Sequence, residues 1–265
     1  MKNTLYPALA VTTAILTANP IAADDTVDDT AISYSYIEGA FVNDNLNLNG
    51  AAITDRDGVG NMDDDNFGTL FDHTGNGGSG RLSAKLPFGS DKLGFHFVSD
   101  YTQTSHKPGI DIVNAVGLQA SGFVDASQKE LRAAFGLHTM ISDKVSLFAE
   151  LGFVKNQVSL ATASLTVEGA GTTEADLSAA SSSRTALDGK FGLRAMVGSK
   201  VELMGYGRYH GNGEIIGGED GALDFSSKFK AGAGAYYHVS KRFALGADYE
   251  FGKPGRVRLV GRLKF

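Results

Sequence analysis

The side chains that could do chemistry in this chain fall into two sets. One is a compact acidic run, Asp55-Arg56-Asp57-Gly58-Val59-Gly60-Asn61, followed by Asp63, Asp64 and Asp65. Clustered carboxylates and carbonyls suit a hard divalent cation, and glycines let the chain wrap around it. The run departs from an EF-hand loop, however: a third oxygen ligand ahead of the glycine is missing, and Asn66 stands where the closing Glu belongs. Asp55, Asp57, Asp63 and Asp65 are therefore a weak metal candidate, and a solvated acidic loop is the simpler reading. The other set is spread over the whole chain at alternate positions. Its acids are Glu38, Asp100, Glu130, Glu150, Asp188, Glu202, Asp248 and Glu250. Its bases are Arg81, Lys85, Arg132, Lys190, Arg194, Arg208, Lys228, Lys230, Arg256, Arg258, Arg262 and Lys264, twelve against eight.

Catalytic patterns are absent. The sequence holds no G-x-S-x-G, no H-E-x-x-H and no phosphate-binding loop. His73, His96, His138 and His238 read as solvated or bonded to a neighbour. Asp100, His106 and His210 lie near strand tops without a paired motif on facing strands. No enzymatic activity and no cofactor are expected, beyond a weakly bound divalent cation in the acidic loop.

The elements that carry the dispersed charges are strands. Apolar residues recur with period two from Ser33 onward, the mark of a strand with two unlike faces. At the C-terminus Val257, Leu259, Gly261, Leu263 and Phe265 share one face, and Arg256, Arg258, Arg262 and Lys264 the other. The same pattern runs through Leu82–Phe88, Leu93–Val98, Leu131–His138, Val145–Phe153, Leu187–Val197, Val201–Tyr209, Phe229–Tyr237 and Phe243–Phe251. With Ser33–Val42 this makes ten strands of about ten residues, the length of a tilted membrane-spanning strand. Tight polar turns (Gly89-Ser90-Asp91, Ser142-Asp143-Lys144, Gly198-Ser199-Lys200 and Ser240-Lys241-Arg242) alternate with longer connections at Asn43–Gly78, Thr104–Ala126, Asn156–Ser182 and Gly211–Phe225. Only the last connection on that side, Gly252–Gly255, is short. Short turns at one end and long loops at the other predict an all-β, antiparallel, up-and-down transmembrane barrel with periplasmic turns and extracellular loops. Hydrocarbon cannot hydrogen-bond a backbone, so such strands must close on themselves with the apolar face outward.

Residues 1–23 read as a signal peptide. Lys2 supplies the positive start, Leu5–Ala18 is apolar but too short to span a bilayer, and Ala23 precedes a cleavage point. Residues 24–32 form an acidic lead-in, and residues 33–265 the barrel. Removing Lys2 leaves 23 basic against 30 acidic residues, a balance that argues against nucleic acid.

The first strand, Tyr34-Ser35-Tyr36-Ile37-Glu38-Gly39-Ala40-Phe41, with a terminal Phe265, resembles the small outer-membrane barrels typified by the activator-of-plant-immunity protein. Ile37, Ala40 and Phe41 depart mildly from its first-strand pattern. That resemblance, over roughly Ser33 to Phe265, implies a ten-stranded barrel in the bacterial outer membrane and no enzymatic activity. Leu263 and Phe265 also resemble the terminal signal read by the barrel-assembly machinery, so that machinery, membrane lipid and lipopolysaccharide are the expected partners. The sequence names no extracellular partner.

Three functions follow. A structural or surface-interaction barrel leads, its narrow lumen filled by the charge network of Glu38, Arg81, Lys85, Arg132, Glu150, Asp188, Arg194, Glu202, Arg208, Arg256, Arg258 and Arg262. A small porin-like diffusion channel with a basic-leaning lumen is the alternative, and an enzyme at the outer rim comes third.

Overall fold

The structure, a computed structural model, describes residues 32–46, 52–53, 67–70, 73–90, 93–113, 119–167, 169–176, 181–211, 228–252 and 255–265. The signal-peptide segment, most of the lead-in, and Asp55, Asp57, Asp63 and Asp65 lie outside the described residues. Fourteen strands form one sheet: β1 (Tyr36–Leu46), β2 (Ala52–Ile53), β3 (Phe67–Leu70), β4 (His73–Gly89), β5 (Leu93–His106), β6 (Gly109–Val113), β7 (Gln119–Ser142), β8 (Val145–Val167), β9 (Gly171–Asp176), β10 (Ser181–Val197), β11 (Val201–His210), β12 (Phe229–His238), β13 (Phe243–Phe251) and β14 (Gly255–Lys264). Ten of them close a ring. The circuit β1-β4-β5-β7-β8-β10-β11-β12-β13-β14 returns to β1, every pair antiparallel. The first and last strands meet along Tyr36↔Lys264 to Asn45↔Gly255, which removes the free edge that a membrane would not tolerate.

Side-chain direction follows the alternation. Phe135, Leu151 and Phe191 are 67%, 61% and 69% exposed on the outside, whereas Arg262, Asp188 and Glu202 are 1%, 0% and 0% exposed on the inside. An apolar exterior around a charged interior is the inverse of a water-soluble domain, and it suits a wall surrounded by hydrocarbon. The chain is a ten-stranded transmembrane β-barrel. Local chemistry also shapes the wall. Pro87, which has no N–H to give the ladder, falls where the β4–β5 register shifts between Lys85 and Gly89. On the outer surface the Phe191 ring covers Gly207 so closely that a Cβ there would stand 2.9 Å from it, the cross-strand pairing by which an aromatic compensates a bare glycine.

Three expectations change. The first strand begins at Tyr36 and runs to Leu46, whereas residues 32–35 turn into the lumen. The stretches read as loops at Thr104–Ala126 and Asn156–Ser182 are largely strand: β7 has 24 residues and β8 has 23. At about 3.3 Å per residue these reach some 75–80 Å, far beyond a hydrocarbon core of about 30 Å. Their tops join β6, β3 and β2 on one side and β9 on the other, in a sheet standing above the ring. Part of Asn43–Gly78 is likewise strand, since β1 and β4 pair up to Leu46↔His73. Above the membrane nothing forces the outward positions to be apolar, so the pattern that marks a strand below disappears while the hydrogen-bonded ladder continues.

Candidate functional site

The lumen is where the polar chemistry gathers, and it is layered. Toward the short-turn end Ile32, Tyr34, Phe148, Met196, Met204, Tyr206 and Tyr236 form a buried apolar cluster. Two of these, Ile32 and Tyr34, come from the segment ahead of β1. Tyr34 stacks on His138 with ring centroids 3.8 Å apart, and its hydroxyl shares a 2.8 Å hydrogen bond with Ser146 Oγ. Ser83 Oγ donates to the Tyr34 carbonyl at 2.7 Å, and Arg194 Nη1 donates to the Ser33 carbonyl at 2.7 Å. The chain thus corks its own lower mouth.

Above the cork, charges alternate without a break. His238 contacts Glu202 at 3.3 Å. Glu202 accepts from Arg194 at 2.8 Å and from Arg262 at 2.9 Å, and Arg262 also reaches Glu38 at 2.7 Å. Arg81 joins Glu38 to Asp100, and Arg132 joins Asp100 to Glu150 and Asp188. Arg208 links Asp188 to Glu130 at 2.7 and 2.9 Å; Arg256 links Glu130 to Asp44, at 3.3 and 3.6 Å. Asp44 ends the chain against His106 Nε2 at 3.2 Å. Arg258 forks onto Asp248, and Lys230 pairs with Glu250 at 3.3 Å. Tyr36 and Tyr236 take the Arg262 guanidinium between their rings, 4.6 and 3.9 Å from the centroids.

The balance of this network corrects the sequence count. Asp44 faces inward at 0% exposure and was assigned to a loop by composition; Lys85 and Lys228 are exposed, and Lys264 is partly exposed at the rim. The inward set becomes nine acids (Glu38, Asp44, Asp100, Glu130, Glu150, Asp188, Glu202, Asp248, Glu250) against nine bases (Arg81, Arg132, Lys190, Arg194, Arg208, Lys230, Arg256, Arg258, Arg262). The lumen is not basic-leaning. A polar void among Arg81, Asp100, Arg132, Lys190, Glu250 and Arg258 has a volume of about 30 Å³, room for a few water molecules.

Of the two readings of the histidines, solvated or bonded to a neighbour, the second holds for His96, His138 and His238. His96 and His138 are 1% and 6% exposed, with their Nδ1 atoms 3.2 Å apart, and His238 is buried beside Glu202. Their signal was positional: each stands at an inward position of its strand. The candidate rim groups are dispersed, with Asp100 held by Arg81 and Arg132, and His210 bonded to Asn156 at 3.2 Å. An Asp–His contact does exist, Asp44–His106, with Thr104 Oγ1 3.0 Å from the same Nε2. Asp44 and Thr104 both meet that ring nitrogen at no more than 1% exposure, which makes the group a buried polar junction. Leu263 and Phe265 are 40% and 57% exposed on the outer face, and the Phe265 amide donates to the Ser35 carbonyl at 3.2 Å.

No protein-family profile and no curated protein matches the chain. Similar folds occur among solved structures. The attachment invasion locus protein of Yersinia pestis is 15% identical, with 87% of this chain and 97% of that one covered and a TM-score of 0.32. Outer membrane protein OprG of Pseudomonas aeruginosa is 14% identical, covering 89% and 98%, with a TM-score of 0.36. Neisserial surface protein A is 13% identical, covering 87% and 97%, with a TM-score of 0.33. At such identities the likeness concerns fold alone, and the barrel assignment stands on ring closure and on the polarity of its two faces.

Proposed function

We propose that this chain is an integral protein of the bacterial outer membrane that closes its own lumen and works through its outer surfaces. The observation that carries this reading is the filled interior: nine acids and nine bases, most of them joined in one chain of ion pairs, over a cork made by Ile32 and Tyr34. A conduit would need an open path along the axis, whereas the void among Arg81, Asp100 and Arg132 holds only about 30 Å³. Buried charges satisfied by one another set barrel shape and register, because any one left alone is costly. What remains available to partners is the wall and the sheet raised above it by β7, β8 and β9. Export through cleavage after Ala23 and insertion by the barrel-assembly machinery belong to the same reading, as does the absence of catalysis, since the Asp44–His106 contact is closed to substrate.

Planar-bilayer recording on the purified, folded protein tests it. The expected trace is flat, with at most brief openings. Steady, ion-selective conductance steps from the unmodified protein would overturn the closed-lumen reading in favour of a diffusion channel.

A further inference from the structure

The outer wall carries two cations that no described residue neutralises. Lys129 on β7 and Lys155 on β8 point outward, because their neighbours Glu130, Val154 and Asn156 are the buried, lumen-facing ones. The register Lys129↔Gln157 and Leu131↔Lys155 makes the two lysines diagonal neighbours across adjacent strands, about 7–8 Å apart at the backbone. One anionic group can therefore be reached by both ammonium ends. The lumen carboxylates are each ion-paired, Lys190 stands over the Tyr206 ring at 3.7 Å, and on the wall Lys107 is bonded to Asp125 at 3.0 Å. Among the described residues Lys129 and Lys155 have neither an ion pair nor a hydrogen bond.

Their height on the wall specifies what they meet. Outward positions level with Lys155 or just below it are Tyr101, Leu131 and Phe153, all exposed and apolar or aromatic; level with and above Lys129 come Gln103, Gln157 and Ser159. Tyr101 donates its hydroxyl to Gln103 at 2.9 Å, as an aromatic at a membrane interface turns its polar tip toward water. The lysines thus stand where acyl chains give way to headgroups, on the long-loop side of the barrel. The wall beside them is indented. A groove of about 440 Å³ runs over Gly189 and Gly207 between Ala149, Phe191, Tyr209 and Phe229. Its Gly189 floor lies four residues below Thr185, the register partner of Lys155, roughly 13 Å lower along the strand.

We propose that Lys129 and Lys155 clasp a phosphate of an outer-leaflet glycolipid whose acyl chains lie along the apolar wall beneath. The inference rests on the membrane placement proposed above. It assigns the lipid one position on the ring, the β7–β8 face.

Native mass spectrometry of the folded full-length barrel with bis-phosphorylated lipid A tests it. The variants are Lys129→Gln, Lys155→Gln, the double variant and Lys144→Gln, a control in the opposite, periplasmic turn. A lysine at a charged membrane surface contributes about fivefold to binding, so the double variant should lose about 30-fold. Lys144→Gln should bind as the unmodified protein does, dephosphorylated lipid A should bind weakly to all, and millimolar inorganic phosphate should not displace the glycolipid. Equal lipid A retention by the double variant and the unmodified barrel would overturn the clasp, as would ready displacement by inorganic phosphate, which would mark a soluble-anion site. Insertion of the same proteins into vesicles separates the two readings. Failure of the unmodified chain to insert breaks the membrane placement, whereas insertion with lysine-independent binding breaks only the clasp.

Discussion

The lower and upper halves of β7 and β8 are one continuous pair of strands, yet the side chains they turn to the barrel axis change from mostly charged to apolar. Below, Leu131, Phe135, Leu137, Leu151 and Phe153 point outward and Glu130, Arg132 and Glu150 inward. Above the level of Lys129 and Lys155, Val124, Val158 and Ala163 are buried on the inner side, at 5%, 7% and 7% exposure. Asp125 and Lys107 now face out, paired with each other, and the exposed ring of Phe123 has the Lys107 ammonium 5.1 Å from its centroid. The register slips between Val124 and Ala126, where a bulge lets the wall bend away. A strand has no inherently apolar face. The medium outside decides: hydrocarbon draws the apolar side chains out, and water sends them back in.

The largest effect should come from the inner face of the lower half. Arg132 holds Asp100, Glu150 and Asp188 together at 3% side-chain exposure. Arg132→Ala leaves three carboxylates without their shared cation, and breaking a buried pair in this way costs about 3–5 kcal/mol. Urea unfolding of the barrel in lipid vesicles should show that loss. A change below about 1 kcal/mol would mean that water enters the lumen freely and screens the network.

The outer face gives the next effect, and it locates the boundary between the halves. Leu151→Arg places a charge near mid-membrane and should cost about 2–4 kcal/mol; Ser159→Arg, above Lys155, should cost about 0–1 kcal/mol. Equal losses at the two positions, in the same unfolding experiment, would show that the membrane does not end where the wall changes polarity.

This contrast also explains what could be read in the sequence. All ten wall strands were legible because hydrocarbon imposes a strict period of two, as in Val257, Leu259, Leu263 and Phe265 against Arg256, Arg258 and Arg262. Where that demand lapses, the signal lapses too. Asn43-Asp44-Asn45 has the composition of a turn, so the inward Asp44 was hidden although it keeps step with Glu38. The serines, threonines and alanines of β8 above Gln157 satisfy the ladder without marking a face. The inward turn at Ile32–Ser35 depends on distant partners, His138, Ser146 and Arg194, which no local pattern announces. The lysine pair escaped for a related reason: Lys129 and Lys155 are far apart in sequence, and only the register makes them neighbours.

The smallest stability effect should fall at Phe265, and its value lies in separating holding the wall from building it. The ring is 57% exposed at the lower rim, while the terminal tie to Ser35 is made by its backbone amide. Phe265→Ala keeps that hydrogen bond and removes only a half-exposed ring, so the folded barrel should lose on the order of 1 kcal/mol or less in the vesicle unfolding assay. If the terminal aromatic is what the assembly machinery grips, the amount of barrel reaching the outer membrane of living cells should nonetheless fall severalfold. The two readouts must part company for that reading to stand. Normal membrane levels would remove the assembly role, leaving Phe265 as one more interfacial aromatic. A parallel loss of several kcal/mol would mean that the strand end itself, and not its recognition, had been damaged.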